Sequence, residues 1–335
     1  MKLLLIVFGV LVLLTPLWTP QTSGVTARLR GVSAVNERVV WASGANSTIL
    51  RTSDGGVTWQ KLNVTTDTLD FRDIDAIDAQ TAYALSIGTG PASRIYKTTD
   101  SGTTWTLQFK NDHPKAFFDA MSFWDSQHGI VFGDSIDGHF DILMTDNGGQ
   151  TWARLDPTSL PPALPSEGAF AASGTNIALY GKDHAWIGTG GGAKARVLRT
   201  TDRGRTWKVA DTPLSAGQSS GIFSIAFRDT QHGVIVGGDY TKESEAINNL
   251  AFTVDGGATW TNAQGLTGFR SVVAYVPSTK TIVALGPLGG DYSTDDGRTW
   301  KSIPGPGFDT FSFARGKGVG WASGAKGSIG RLLVD

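Results

Sequence analysis

Cysteine is absent from the 335 residues. That removes a disulfide framework, thiolate metal sites, iron–sulfur ligation, a cysteine nucleophile and a lipobox anchor. Charge is scarce at 18% and nearly balanced, with Lys+Arg 29 against Asp+Glu 30 and a formal net charge of -1. No global basic field exists to gather nucleic acid or acidic membrane, so no nucleic-acid partner is expected. Low-complexity tracts are missing, and so is the Gly-x-Gly-x-x-Gly turn of nicotinamide and flavin enzymes. A long apolar run occurs once, from Leu3 to Leu14 behind Lys2, and Thr15-Pro16 follows it. Twelve residues fall short of the roughly 20 that a membrane-spanning helix needs. The pattern reads as a signal peptide over residues 1–24, with small residues Thr22-Ser23-Gly24 at its end and a cut nearer residue 17 as the other reading. The expected compartment is therefore periplasmic or extracellular, with membrane contact only through an uncleaved signal anchor.

What the chain does have is glycine, 43 residues, and tryptophan, 11 residues, within a 40% hydrophobic composition. One eight-residue phrase recurs six times: Thr52–Trp59, Thr98–Trp105, Thr145–Trp152, Thr200–Trp207, Thr253–Trp260 and Ser293–Trp300. The tryptophans stand 46, 47, 55, 53 and 40 residues apart. The phrase is built to turn. Its acidic residue (Asp54, Asp100, Asp202, Asp255, Asp295) is placed to accept backbone amides two or three positions ahead. A glycine two positions later can take positive φ, and the closing Thr-Trp (Trp59, Trp105, Trp152, Trp207, Trp260, Trp300) restarts an extended strand. In the third copy Asn147 replaces the acid, which argues that the carboxylate is structural.

A second, apolar phrase precedes each turn and appears seven times, from Val40–Gly44 to Gly320–Gly324. A third apolar element precedes most of these, as in Leu29–Val35 and Phe71–Ile77, and no amphipathic helix of useful length intervenes. Units of four short strands repeating every 40 to 50 residues describe an all-β, seven-bladed β-propeller of four-stranded antiparallel blades. The last unit lacks a turn phrase and an outer strand, while strand-like sequence near Trp18 has no blade of its own. Closure by that N-terminal strand is expected, giving a single propeller over residues 25–335 that is monomeric.

The Ser/Thr-x-Asp-x-Gly-x-Thr-Trp phrase resembles the Asp-box, or BNR, repeat of sialidases, related glycosidases and many non-enzymatic propellers, and it covers nearly the whole mature chain. Seven blades in one exported domain are most similar to the photosystem II assembly-factor-like propellers and their bacterial relatives. That likeness implies a non-catalytic scaffold that binds or assembles a protein partner. A glycan is the alternative ligand. Neither a cofactor nor a metal is implied.

Variation falls on the face opposite the turn phrases, in Gly133–Phe140, Gly188–Ala195, Gly238–Asn249 and Leu155–Gly168. Loops of this kind on a rigid frame are where binding normally resides. The expected starts of the innermost strands contribute Arg30, Arg72, Asp119, Glu167 and Arg270 around the channel mouth, and Asp239 and Tyr240 join them from a loop. Arginines there could clamp a carboxylate or phosphate; the plainer reading is a self-neutralising ring of ion pairs. The aromatics Phe118, Phe170, Phe223 and Phe269 are read as blade packing before a stacking platform. Sialidase-like hydrolysis, the enzymatic alternative, would require Arg30, Arg72, Arg270, Tyr240, Glu167 and Asp119 to converge on one cavity. The Arg-Ile-Pro phrase of sialidases is missing; Arg94-Ile95-Tyr96 is the nearest match, on the wrong strand. The reading therefore leans away from an enzyme, with a quinone-dependent propeller dehydrogenase left open. His128 and His232 occupy one repeat position and read as turn residues. His139 with Asp134, Asp137 and Asp141 reads as a solvated loop before it reads as a cation site.

Overall fold

The computed structural model describes residues 17–334. Most of the expected signal segment, residues 1–16, lies outside the described residues. Seven antiparallel sheets of four strands account for every strand described. In blade 1 the chain runs outward through Leu29–Ala34, Val40–Gly44, Thr48–Thr52 and Gln60–Leu62. Blades 2 to 6 repeat that order, and among the described residues helix is confined to three short 3-10 turns. Blade 7 breaks the rule. Its inner strands Thr310–Phe313, Val319–Ser323 and Ser328–Leu333 come from the C-terminal end, and its outermost strand is Leu17–Thr22. The two ends pair antiparallel from Leu17 with Leu333 to Thr22 with Ser328, which closes the ring as expected.

Second strands are buried along their length, as in Val40–Gly44 and Ile282–Gly286, because blade faces cover them on both sides. That is why they read as continuous apolar runs rather than alternating ones. The core is accordingly divided into seven clusters, one at each blade interface, and an eighth at the channel mouth gathers Ala172, Phe223 and Phe269. Trp41, Trp186 and Trp321, all from second strands, are the largest side chains buried there. Outermost strands such as Ala153–Arg154 shrink to two exposed residues.

Each turn phrase joins a third strand to an outermost one. In blade 1 the Thr52 hydroxyl accepts the Gly56 N–H at 2.9 Å and donates to Asp54 at 2.8 Å. Asp54 in turn accepts the backbone N–H of Thr58 at 3.0 Å and its hydroxyl at 2.6 Å. The carboxylate thus reaches four residues ahead, further than the two or three expected, because two successive left-handed residues, Gly55 and Gly56, fold the loop back toward it. The second left-handed position is glycine in all six copies, whereas Ser101, Arg203 and Asp296 occupy the first. Although slight burial opposes it at Asp202, Asp255 and Asp295, hydrogen bonding from the threonines holds these carboxyls, and those of Asp54 and Asp100, below the ordinary range. Asn147 closes the same ring, accepting the Thr151 N–H at 3.0 Å. The Trp59 indole donates to Gln21 on the closing strand at 3.2 Å, and the Gln21 amide donates to Gly55 O at 2.8 Å.

One element departs from expectation. The innermost strand of blade 4 is Ile177–Tyr180, so Glu167 does not begin it. The chain first runs through an irregular segment of turns and bends, residues 169–176, that is carried into the channel.

Candidate functional site at the channel mouth

Innermost strands begin, and second strands end, on the face opposite the turn phrases. Both sets of strand ends meet at one mouth, where a cavity of about 530 Å³ opens. Its floor is the segment Ala169–Asn176. Arg30 of blade 1 donates to Ala172 O at 3.3 Å and Arg72 of blade 2 to Ala171 O at 2.8 Å, while Asp134 of blade 3 accepts the Ala169 N–H at 3.2 Å. Deeper in the channel Thr175 meets Ser224 of blade 5, Ser173 donates to Ser271 O beside blade 6, and Thr310 of blade 7 donates to Ser173 O. One octapeptide therefore touches all six other blades. Small residues permit this: Gly174 has φ of 72°, and a β-carbon there would stand 2.3 Å from the Asp73 carboxylate.

The mouth carries both signs of charge. Arg28 forms two 2.7 Å bonds with Asp309, and Arg72 bonds Asp70 at 2.8 Å. Arg30, between them, is different. Among the described residues none of its donors meets a carboxylate within ion-pair distance, and its bond to Ala172 O is long. Burial, opposed by the charge of Asp309 and reinforced by those of Arg72 and Arg28, lowers its pKa to about 10. On the blade 3 side Asp119 is buried, and burial followed by the charge of Asp134 pushes its carboxyl well above the ordinary range. Burial raises Asp134 too. One Asp119 oxygen has no hydrogen-bond partner.

The remaining wall is aromatic. Phe170, from the channel segment, stacks on Phe223 with centroids 4.1 Å apart and planes 4° apart. Phe269 meets Phe223 edge-on at 4.6 Å, and Tyr240 closes on both stacked rings at 6.1 Å while staying 49% exposed. Phe118 lies elsewhere, packed between blades 2 and 3.

Of the residues expected at the mouth, Arg30, Arg72, Asp119 and Tyr240 line the cavity together. Glu167, Arg270 and Asp239 are not among its lining. Glu167 is buried in an ion pair with Arg196 and also accepts the Thr189 hydroxyl at 2.6 Å. Arg270, 1% exposed, is held by Asp291 at 2.6 Å. Asp239 caps its own turn, accepting the Thr241 hydroxyl and its N–H at 2.9 Å, which keeps its carboxyl below the ordinary range. The six-residue constellation required for sialidase-like hydrolysis therefore does not assemble.

Arg28, Asp134 and Glu243 also line the mouth, although their sequence positions did not single them out. Arg28 stands just ahead of the strand Leu29–Ala34, so strand alternation did not mark it. Elsewhere the loop acids separate: Asp137 pairs with Lys115 and Asp141 with Arg154. His128 and His232 each pair with the aspartate three residues earlier in matching turns. Among the described residues no acidic or histidine cluster is arranged to hold a metal.

A model of the DUF6242 β-propeller domain matches residues 15–232. No curated protein matches the chain in sequence. Among solved structures, the one titled "YCF48 bound to D1 peptide" is similar over 95% of this chain and 97% of its own, with TM-score 0.68 and 18% identity. YCF48 from Cyanidioschyzon merolae is similar over 94% and 98%, with TM-score 0.64 and 16% identity.

Proposed function

The chain belongs to the DUF6242 β-propeller family, and we propose that it is an exported, non-catalytic scaffold that binds a segment of a protein partner at the channel mouth, on its loop-bearing face. The observation that carries this reading is the form of the site. The channel is filled by the chain's own residues 169–176, so what remains is a shallow cavity at one face, walled by stacked aromatics on one side and by arginines on another. Aromatic and arginine side chains are the anchors that protein interfaces favour. The similarity in fold to YCF48 bound to D1 peptide supports a peptide as the kind of ligand. Export rests on Lys2 and the Leu3–Leu14 run.

The test is affinity capture from the native envelope fraction with three baits: wild type, an Arg30→Gln, Arg72→Gln double variant, and Arg205→Glu on the opposite face. A partner retained by wild type and by Arg205→Glu but lost from the double variant supports the reading. Hydrolysis of a fluorogenic glycoside panel that depends on Arg30 would replace it with glycosidase activity.

A further inference from the structure

Arg30 is a half-buried guanidinium that faces a cavity and meets no carboxylate among the described residues, although both arginines beside it do. Holding a cation out of water without a hydrogen-bonded counter-charge is costly: the more distant charges of Asp309 and Asp70 offset part of that cost, while Arg72 and Arg28 add repulsion. The cost is relieved when a ligand brings the missing anion. Arg30 offers planar paired donors that match a carboxylate. Across the same cavity stands the edge of the Phe170–Phe223 stack with Tyr240 half exposed over it.

Two apolar side chains on loops that contribute to the mouth are themselves exposed. Ile247, in the loop that carries Tyr240, is 64% exposed, and Leu288, which follows the cavity residue Pro287, is 63% exposed.

We propose that the mouth recognises an acidic–aromatic peptide motif: a peptide carboxylate seated on Arg30, with an aromatic side chain of the same peptide packed against Phe170, Phe223 and Tyr240. This rests on the peptide-binding reading above and adds the chemistry of the peptide.

The experiment is an array of Gly-Ser decapeptides carrying one Phe and one Asp or Glu at every separation from zero to four residues. Matched peptides carry Asn or Gln in place of the acid, or Ser in place of Phe. The full-length protein is applied as wild type, Arg30→Gln, Arg30→Lys and Tyr240→Ser, each first checked for an unchanged thermal transition. Binding is expected to the acidic–aromatic peptides. It should weaken on the order of tenfold or more in the amide peptides and in Arg30→Gln, with partial recovery in Arg30→Lys. Tyr240→Ser should weaken binding of Phe-containing peptides and leave the Ser-containing set unchanged. Equal binding of acid and amide peptides, or an Arg30→Gln protein that binds like wild type, would overturn the carboxylate assignment while leaving peptide binding at the mouth intact. Absence of binding to every peptide, with the envelope partner still captured through the mouth, would overturn the motif. Absence of both would remove the function on which it rests.

Discussion

Asn147 shows how little of the turn phrase depends on charge. In the acidic copies the threonine hydroxyl donates to the carboxylate, as Thr104 does to Asp100 at 2.6 Å. In the third copy the bond runs the other way, from the Asn147 amide to the Thr151 hydroxyl at 2.8 Å. The ring closes either way because a hydroxyl both donates and accepts. Asn147→Asp should therefore change stability by no more than about 0.5 kcal/mol, the scale of an ordinary surface substitution. Asn147→Ala removes acceptor and donor together and should cost about 1–2 kcal/mol. Urea denaturation of the two variants checks this; an Asp variant less stable than the Ala variant would refute it. That the acid is structural was readable from this one substitution. Its reach to the fourth residue ahead was not, because it depends on left-handed backbone at Ser101, Arg203 and Asp296, residue types that do not announce that conformation.

Among the elements, the strand Leu17–Thr22 has the largest consequence for its length. It completes blade 7, covers the edge of Ser328–Leu333, and packs Trp18 on Phe308 with centroids 4.7 Å apart. Through Gln21 it also satisfies the Trp59 indole and Gly55 O of blade 1, so it fastens the last blade to the first. A chain that started at Val25 would lose all of this and present an open sheet edge. A chain that started at Leu17 would keep it. The former should melt at lower temperature and aggregate on heating, and the latter should melt like the full-length protein. If the shorter chain fails to fold at all, Trp18→Ala in the full chain carries the test, with an expected loss of about 2–3 kcal/mol for a partly buried tryptophan. Equal melting of all three would show that the ring closes without this strand. Blade count and closure were legible because the apolar run repeats seven times, the turn only six, and the last unit lacks an outer strand. The start of blade 4 was not: Phe170 and its small neighbours look like strand, and only their insertion among six other blades prevents it. Arg270 and Glu167 were misjudged as mouth residues for a related reason. Sequence position near a strand start does not reveal that Asp291 or Arg196 waits to bury the charge.

At the scale of the whole molecule, the ring is tied through its centre by polar contacts, and of three carboxyls that support them Asp73 and Asp119 are buried and Asp75 half-buried. Asp73 accepts the Met121 N–H at 2.7 Å, Asp75 accepts the Phe123 N–H at 2.9 Å, and Asp119 lies under the channel segment at Ala171. Burial is the largest influence on each and raises all three above the ordinary value of 3.8. The sign of the pH effect follows. As pH climbs past that ordinary value the unfolded chain releases these protons while the folded chain retains them, so the unfolded state binds fewer protons and stability falls. The fall continues until pH passes the raised values and then levels, and a carboxyl that holds its proton tenfold more tightly in the folded state loses about 1.4 kcal/mol over that interval. Asp119→Asn keeps an oxygen acceptor for the Ala171 N–H and cannot ionise. Its stability should therefore decline less than that of wild type between weakly acidic and neutral pH, and the two curves should approach each other at the acid end. Thermal melts across that pH interval decide the matter. A variant whose stability runs parallel to wild type at every pH would mean that Asp119 is already ionised inside the ring, compensated by a contact that its burial does not reveal.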